Sequence, residues 1–295
     1  MRRVSTRLFL GTVAASIAVV ATACSPVGTT GAMSGPYAHT IWGPDVSSYQ
    51  HPGGVGINWS SVRAQGARFA FVKVSEGNNY QNPYAASDMG GARAAGLYVT
   101  GYHFARPRLP LSTATSDART FAALMGNVKV AGTLPPVLDM ETTGGLSAAN
   151  ATSWMKAFLV ALQNSTGRTP MIYSGQWFWK GYLQNPMGFA QYPVWAAQYT
   201  GGVGPNLFGD FQYSTFWQYT DAAKINGIRG GVDSSYFHGS LDQLVSLAWI
   251  GVTAPAASTA KKSFARVLVE APAAGTSSTG ATGKGMAQDS STLGK

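Results

Sequence analysis

Short apolar runs of strand length recur through the middle of the chain, at 40–46, 67–75, 98–104, 134–139, 170–173, 193–197, 214–219 and 231–236. Runs of this kind, bounded by turn-forming residues, predict buried strands. Between the first five runs the apolar residues return at a helical period, over 59–65, 83–95, 113–125 and 147–162. The last of these is led by Ser147 as a cap and puts Trp154, Phe158, Leu159 and Leu162 on one stripe. Strand and helix in alternation predict a parallel sheet covered by helices, and eight strands suffice for it to close. The helical period fades in the second half, where 175–188 and 201–210 are Gly-rich and aromatic. The pattern therefore predicts an α/β fold, an irregular (β/α) TIM-like barrel with eight strands and fewer helices in its second half. A helix over 240–249 closes a catalytic-size domain at 39–250.

Outside that domain the patterning changes character. Residues 1–23 have the form of a signal peptide: Arg2, Arg3 and Arg7 precede an apolar stretch at 8–20, and Ala21-Thr22-Ala23 is a small-residue cleavage site. Residues 24–38, rich in Gly, Ser, Thr and Pro, predict a flexible leader. Residues 251–295 are a low-complexity stretch of Ala, Gly, Ser, Thr and Lys, expected to be a disordered tail. The single cysteine, Cys24, stands at the cleavage point, where bacterial lipoproteins carry their acylated residue. Such signals prefer Leu, Val or Ile at the position Ala21 occupies, so membrane anchoring through Cys24 and plain secretion both stay open. Either way the protein is expected to be exported, and a domain without cysteine rests on its core alone. A monomer is expected.

Charge removes one class of partner. The net +9 divides into +3 for residues 1–38, +3 for 251–295 and +3 for the middle, whose thirteen bases and ten acids are scattered. No basic stripe marks a nucleic-acid surface, although a mild positive charge suits adsorption to an anionic polymer such as a bacterial wall. Eight Trp and thirteen Tyr would suit the apolar faces of sugars, and would equally well fill a core.

The candidate chemistry begins with Asp139 and Glu141, which end the run Leu134-Pro-Pro-Val-Leu-Asp-Met-Glu141. At i and i+2 of a strand, side chains share a face roughly 7 Å apart. Two carboxylates that close cannot both ionise freely, and a raised acid beside an ionised one is the equipment of glycoside hydrolysis. An isolated Asp-x-Glu is as readily two solvated acids at a strand end. In a parallel barrel, however, strand C-termini converge on one mouth, and Asp45, Glu76 and Asp233 also lie in or after strand runs.

The motifs carry the argument further. Asp45-Val-Ser-x-x-Gln50, Lys73-Val-Ser-Glu-Gly77, Gly101-Tyr-His-Phe104, Asp139-Met-Glu141, Trp217-Gln-Tyr219 and Val232-Asp233 follow in this order. The series resembles glycoside hydrolase family 25, the lysozymes that cut bacterial cell wall, over about residues 40–248. His51 departs from it, since the family usually has Pro, Gly or Glu after the Gln, and is expected on the rim. The resemblance implies an N-acetylmuramidase acting on peptidoglycan glycan strands, without a cofactor. It implies Glu141 as general acid and Asp139 as its charge-stabilising partner, with Asp45 and Asp233 flanking the sugar. Attack by the substrate's N-acetyl group and direct attack by water both remain open.

Tyr102, Tyr173, Trp195 and Tyr219 stand at strand ends and could stack on or hydrogen-bond to sugars, or simply fill the barrel; Gln198 and Gln218 are weaker candidates. Lys73 and Glu76 suggest a supporting ion pair. His39, His51, His103 and His238 lack metal-ligand spacing, and no metal site is expected; His103 suggests a hydrogen-bonded residue near the mouth. Two competing functions stay open: a catalytically inactive wall-binding barrel, which has little use for all four acids, and another barrel glycosidase such as a chitinase, whose longer acidic run upstream of Asp139 is absent.

Overall fold

A computed structural model describes residues 40–199 and 203–249. Its strands are β1 (Trp42–Val46), β2 (Phe69–Glu76), β3 (Tyr80–Gln81), β4 (Tyr98–Phe104), β5 (Val137–Asp139), β6 (Met171–Gly175), β7 (Val194–Ala197), β8 (Phe216–Ala223) and β9 (Val232–Phe237). They are joined in the order β1-β9-β8-β7-β6-β5-β4-β2, and pairing of β1 with β2 closes the ring. All eight apolar runs thus became staves of a closed barrel. The two-residue β3 lies outside the ring, paired with the end of β2, and is too short to leave a periodic signal.

One stave departs from the expected parallel sheet. β9 runs antiparallel to both β8 and β1, whereas every other pair in the ring is parallel. The reason is connection length: only residues 224–231 link β8 to β9, too few for a parallel crossover and its helix. The reversal brings the N-terminal end of β9, with Asp233, to the mouth where the other strands end; Asp233 is the register partner of Asp45.

The helices are α1 (Trp59–Ala64), α2 (Ala85–Ala94), α3 (Ser112–Met125), α4 (Ala148–Thr166), α5 (Gln176–Gly181) and α6 (Leu241–Leu247). Ser147 caps α4 by accepting from the Asn150 N–H, and Trp154, Phe158, Leu159 and Leu162 are all buried against the barrel. α5 falls where the sequence showed no helical stripe. Phe178 and Trp179 bury themselves under its single turn and a half, too short a length for a period to appear.

The core has two layers. One lies between barrel and helices. The other fills the barrel, where Phe71 meets Trp195 at 4.2 Å and Phe216 at 5.0 Å between ring centres. Gly43 permits the close approach of β1 to β2, because a Cβ there would lie 2.0 Å from the Phe69 carbonyl oxygen. Alternation along the strands then decides what the mouth receives. Above the inward rings of Phe71, Phe216 and Phe237 the next inward positions are Lys73, Gln218 and the Ser235–Asp233 edge, so a polar layer sits on an aromatic floor. The expected signal peptide, the whole leader, Cys24, His39 and the tail lie outside the described residues.

Candidate active site

The polar layer lines a cavity of about 220 Å³ at the mouth, to which Asp45, Asp139, Glu141 and Asp233 all contribute. At about 30 Å³ per water this is room for roughly seven. Three of the acids come from strand ends and the fourth, Glu141, lies two residues past Asp139. Tyr102, Tyr173 and Trp195 also line the cavity, as do Lys73, Phe104, Tyr49 and Gln218.

Tyr219 does not. Its neighbour Gln218 takes the inward position on β8, and Tyr219 faces the barrel's outside, where its hydroxyl donates to Ser234 at 3.2 Å and its ring stacks on Tyr236 at 4.1 Å. Trp195 is lining of a particular kind: it is 1% exposed, wedged by Phe71 and Tyr173, with its indole N–H donated to Ser235 at 2.9 Å. It forms floor more than contact surface.

Gln218, a weak candidate by sequence, is the hub of the site. Its Oε1 accepts from the Tyr173 hydroxyl at 2.6 Å and the Tyr199 hydroxyl at 2.7 Å. Two donors at that oxygen fix the amide's orientation, so both Nε2 hydrogens turn to the carboxylates, Asp45 at 3.0 Å and Asp233 at 3.1 Å. The side chain is 2% exposed and fully hydrogen-bonded. The signal that could have found it is parity: Gln218 is two residues from the inward Phe216.

The electrostatics follow from crowding acids into a dry place. Burial, then the charge of Asp233, pushes the Asp45 carboxyl well above the usual range, while the hydrogen bond from Gln218 opposes the rise. Asp233 is raised to about 6, first by burial and then by Asp221. Burial raises both Asp139 and Glu141, and each feels the other; Lys73 pulls both back. The rise is the larger for Asp139, the more deeply buried of the two. Asp139 is 4% exposed and its Oδ1 is a buried acceptor with no partner. Glu141 is only half-buried and open to the cavity.

Lys73 and Glu76 form the expected ion pair, and Arg106 adds its Nε to the same carboxylate at 2.9 Å. Burial would raise Glu76, but these hydrogen bonds outweigh it and its pKa is lowered. Glu76 therefore stays ionised and holds the Lys73 ammonium at the wall of the cavity.

One histidine differs from expectation outright, and a second is hydrogen-bonded as expected but faces away from the mouth. His51 is buried, not on the rim: its ring stacks on Tyr84 at 3.9 Å, with Nε2 2.8 Å from Asp88 and Nδ1 3.1 Å from the Val55 carbonyl. It fastens the loop after β1 to α2. His103 lies behind the barrel wall against Phe121 and Phe158, with Nδ1 on Ser75 at 2.9 Å and Nε2 unpartnered. Burial lowers its pKa to about 4, so it is neutral packing and not a site residue.

Comparison with known proteins agrees with this geometry. Residues 44–228 match the family model of glycosyl hydrolases family 25. The chain is 36% identical over 221 residues to an N,O-diacetylmuramidase of Chalaropsis sp, spanning 71% of this chain and 99% of that protein. It is 34% identical over 216 residues to lysozyme M1 of Streptomyces globisporus, covering 70% and 71% of the two chains. The solved structure of a bacterial lysozyme from Streptomyces coelicolor superposes with a TM-score of 0.66 at 34% identity, over 71% of this chain and 97% of that one.

Proposed function

The chain belongs to glycosyl hydrolases family 25, and from that membership we propose that it is an exported N-acetylmuramidase, cutting the β-1,4 bond between N-acetylmuramic acid and N-acetylglucosamine in peptidoglycan. The family makes it a glycoside hydrolase of the lysozyme type. The observation that carries the finer reading is the four-acid cavity, in which burial raises both Asp139 and Glu141 while Asp139 Oδ1 lacks a partner.

The roles are unequal because exposure is unequal. Both line the cavity, but Glu141 is the more exposed and so the better placed to reach a glycosidic oxygen. As substrate enters, the acetamido N–H of the sugar supplies the donor Asp139 Oδ1 lacks, which favours an ionised Asp139 and, beside that charge, a protonated Glu141. Glu141 then donates its proton to the leaving oxygen as the bond breaks, and Asp139 stabilises positive charge developing on the acetamido group or ring. A carboxylate so engaged is a poor nucleophile, which favours the substrate's own acetamido oxygen over attack by an acid of the protein. Asp45 and Asp233, tied together through Gln218, hold negative potential beside the oxocarbenium-like sugar.

The test uses purified peptidoglycan. New reducing ends should appear, and mass spectrometry of the reduced fragments should find muramitol at the new ends. Glucosaminitol there, or cleavage of chitin oligomers alone, would overturn the muramidase reading. Glu141→Gln should abolish turnover and leave glycan binding in place; retained turnover would remove Glu141 from the acid role.

A further inference from the structure

The turn after β1 displays an aromatic ring with no partner among the described residues. Tyr49 is 85% exposed, yet it lines the same cavity as the four acids. Single exposed aromatics are common on protein surfaces and mean little alone. Here the mounting beneath the ring sets it apart. Ser47 Oγ accepts the Tyr49 N–H at 3.3 Å, and the Gln50 side chain returns to the Ser47 N–H at 2.8 Å, a closed capping box around a turn of three residues. Tyr80 donates to Ser48 Oγ at 2.8 Å, and Gln50 Nε2 donates to the Gly231 carbonyl, at the start of the neighbouring β9, at 3.4 Å. Just past the turn, buried His51 is locked to Asp88 and Val55. A backbone fixed from four directions presents an exposed ring at the rim of the cavity.

We propose that Tyr49 is a stacking platform for a pyranose ring of the glycan strand, forming a sugar subsite on the Asp45–Asp233 side of the cut bond; this rests on the muramidase reading above. The chemistry suits an N-acetylhexosamine, whose axial C–H bonds make one face apolar while its hydroxyl and acetamido groups stay at the edge in water. A flat ring on a rigid turn gives that face a partner with little conformational entropy left to lose on binding. Tyr49 stands on β1's side of the barrel and Glu141 beyond β5, so a sugar stacked on Tyr49 and the bond presented to Glu141 lie across the cavity from one another. The platform therefore grips the strand away from the proton donor and acts on affinity, leaving the bond-breaking step alone.

Tyr49→Ala should raise KM for soluble uncrosslinked glycan fragments by about three- to tenfold and leave kcat unchanged. Tyr49→Phe and Tyr49→Trp should keep the wild-type KM, because they keep the ring. The melting temperature should not move in any of the three. The same comparison by calorimetry, with each substitution added to Glu141→Gln, reads glycan affinity without turnover. An unchanged KM and affinity in Tyr49→Ala, or a Tyr49→Phe as impaired as Tyr49→Ala, would overturn the platform. If the wild-type protein cleaves no peptidoglycan but Tyr49→Ala still weakens glycan binding, the platform stands and the muramidase reading falls.

Discussion

Gln218→Glu changes one NH2 to an oxygen and adds no bulk, so its effect isolates what the hub does. In the wild-type site the two tyrosine hydroxyls claim Oε1, and Nε2 supplies a hydrogen to each of Asp45 and Asp233. The introduced side chain, when protonated, has one hydrogen to give, so one carboxylate loses its donor; when ionised it has none, and becomes a further negative charge in a buried place. Losing one hydrogen bond to a charged group costs about 1.5–3 kcal/mol, or roughly 10- to 150-fold in kcat/KM if the bond persists in the transition state. The pH dependence is the sharper readout. The folded variant holds the new carboxyl protonated to higher pH than the unfolded chain does, so above the unfolded carboxyl pKa the unfolded state binds fewer protons and stability falls as pH rises. The penalty should be small at pH 4 and grow by up to about 1.4 kcal/mol per pH unit until the folded state yields its proton. Thermal melts of wild type and variant at pH 4 and 7, with peptidoglycan turnover at each, measure both effects. Equal differences in melting temperature at the two pH values, with unchanged kcat/KM, would refute the hub.

Two further substitutions test other parts of the argument. Asp45→Asn should abolish peptidoglycan cleavage and yet stabilise the fold at pH 7 by about 1–2 kcal/mol, because the raised Asp45 carboxyl is a cost of the folded state above its unfolded pKa; the gain should vanish near pH 3, where the carboxyl is protonated in both states. Urea melts at the two pH values check the sign. His51→Ala leaves Asp88, whose side chain is 3% exposed, with only its Trp59 hydrogen bond and should cost about 1–3 kcal/mol in the same melts; a loss within about 0.5 kcal/mol, that of an ordinary surface change, would mean the pair carries no weight.

The staves were legible because burial on both faces leaves unbroken apolar runs, and the first four helices because each keeps one stripe toward the barrel. What local pattern does not carry is pairing. Nothing in 231–236 states that the strand runs antiparallel; that follows from a short connection and from which neighbours remain unpaired when the ring closes. The acids were legible as strand-end residues, and the motif order assigned them to one mouth. Tyr219 was misplaced by weighing residue type over parity: counting by two from Phe216 puts Gln218 inside and Tyr219 outside. His51 looked like a loop residue because its partner Asp88 is 37 positions away, and parity places the Gln218 amide inside without telling which groups it joins.

The reversed β9 has a consequence for when the mouth is complete. Asp45 stands in the first stave and Asp233 in the last, side by side across the seam where the ring closes. A chain emerging from the ribosome can assemble β1 to β8 and still lack one of its four acids and the inward edge of the mouth. The four acids thus meet only in a chain whose first and last staves are paired and whose seam is sealed. The topology makes the completeness of the mouth depend on both ends of the domain at once.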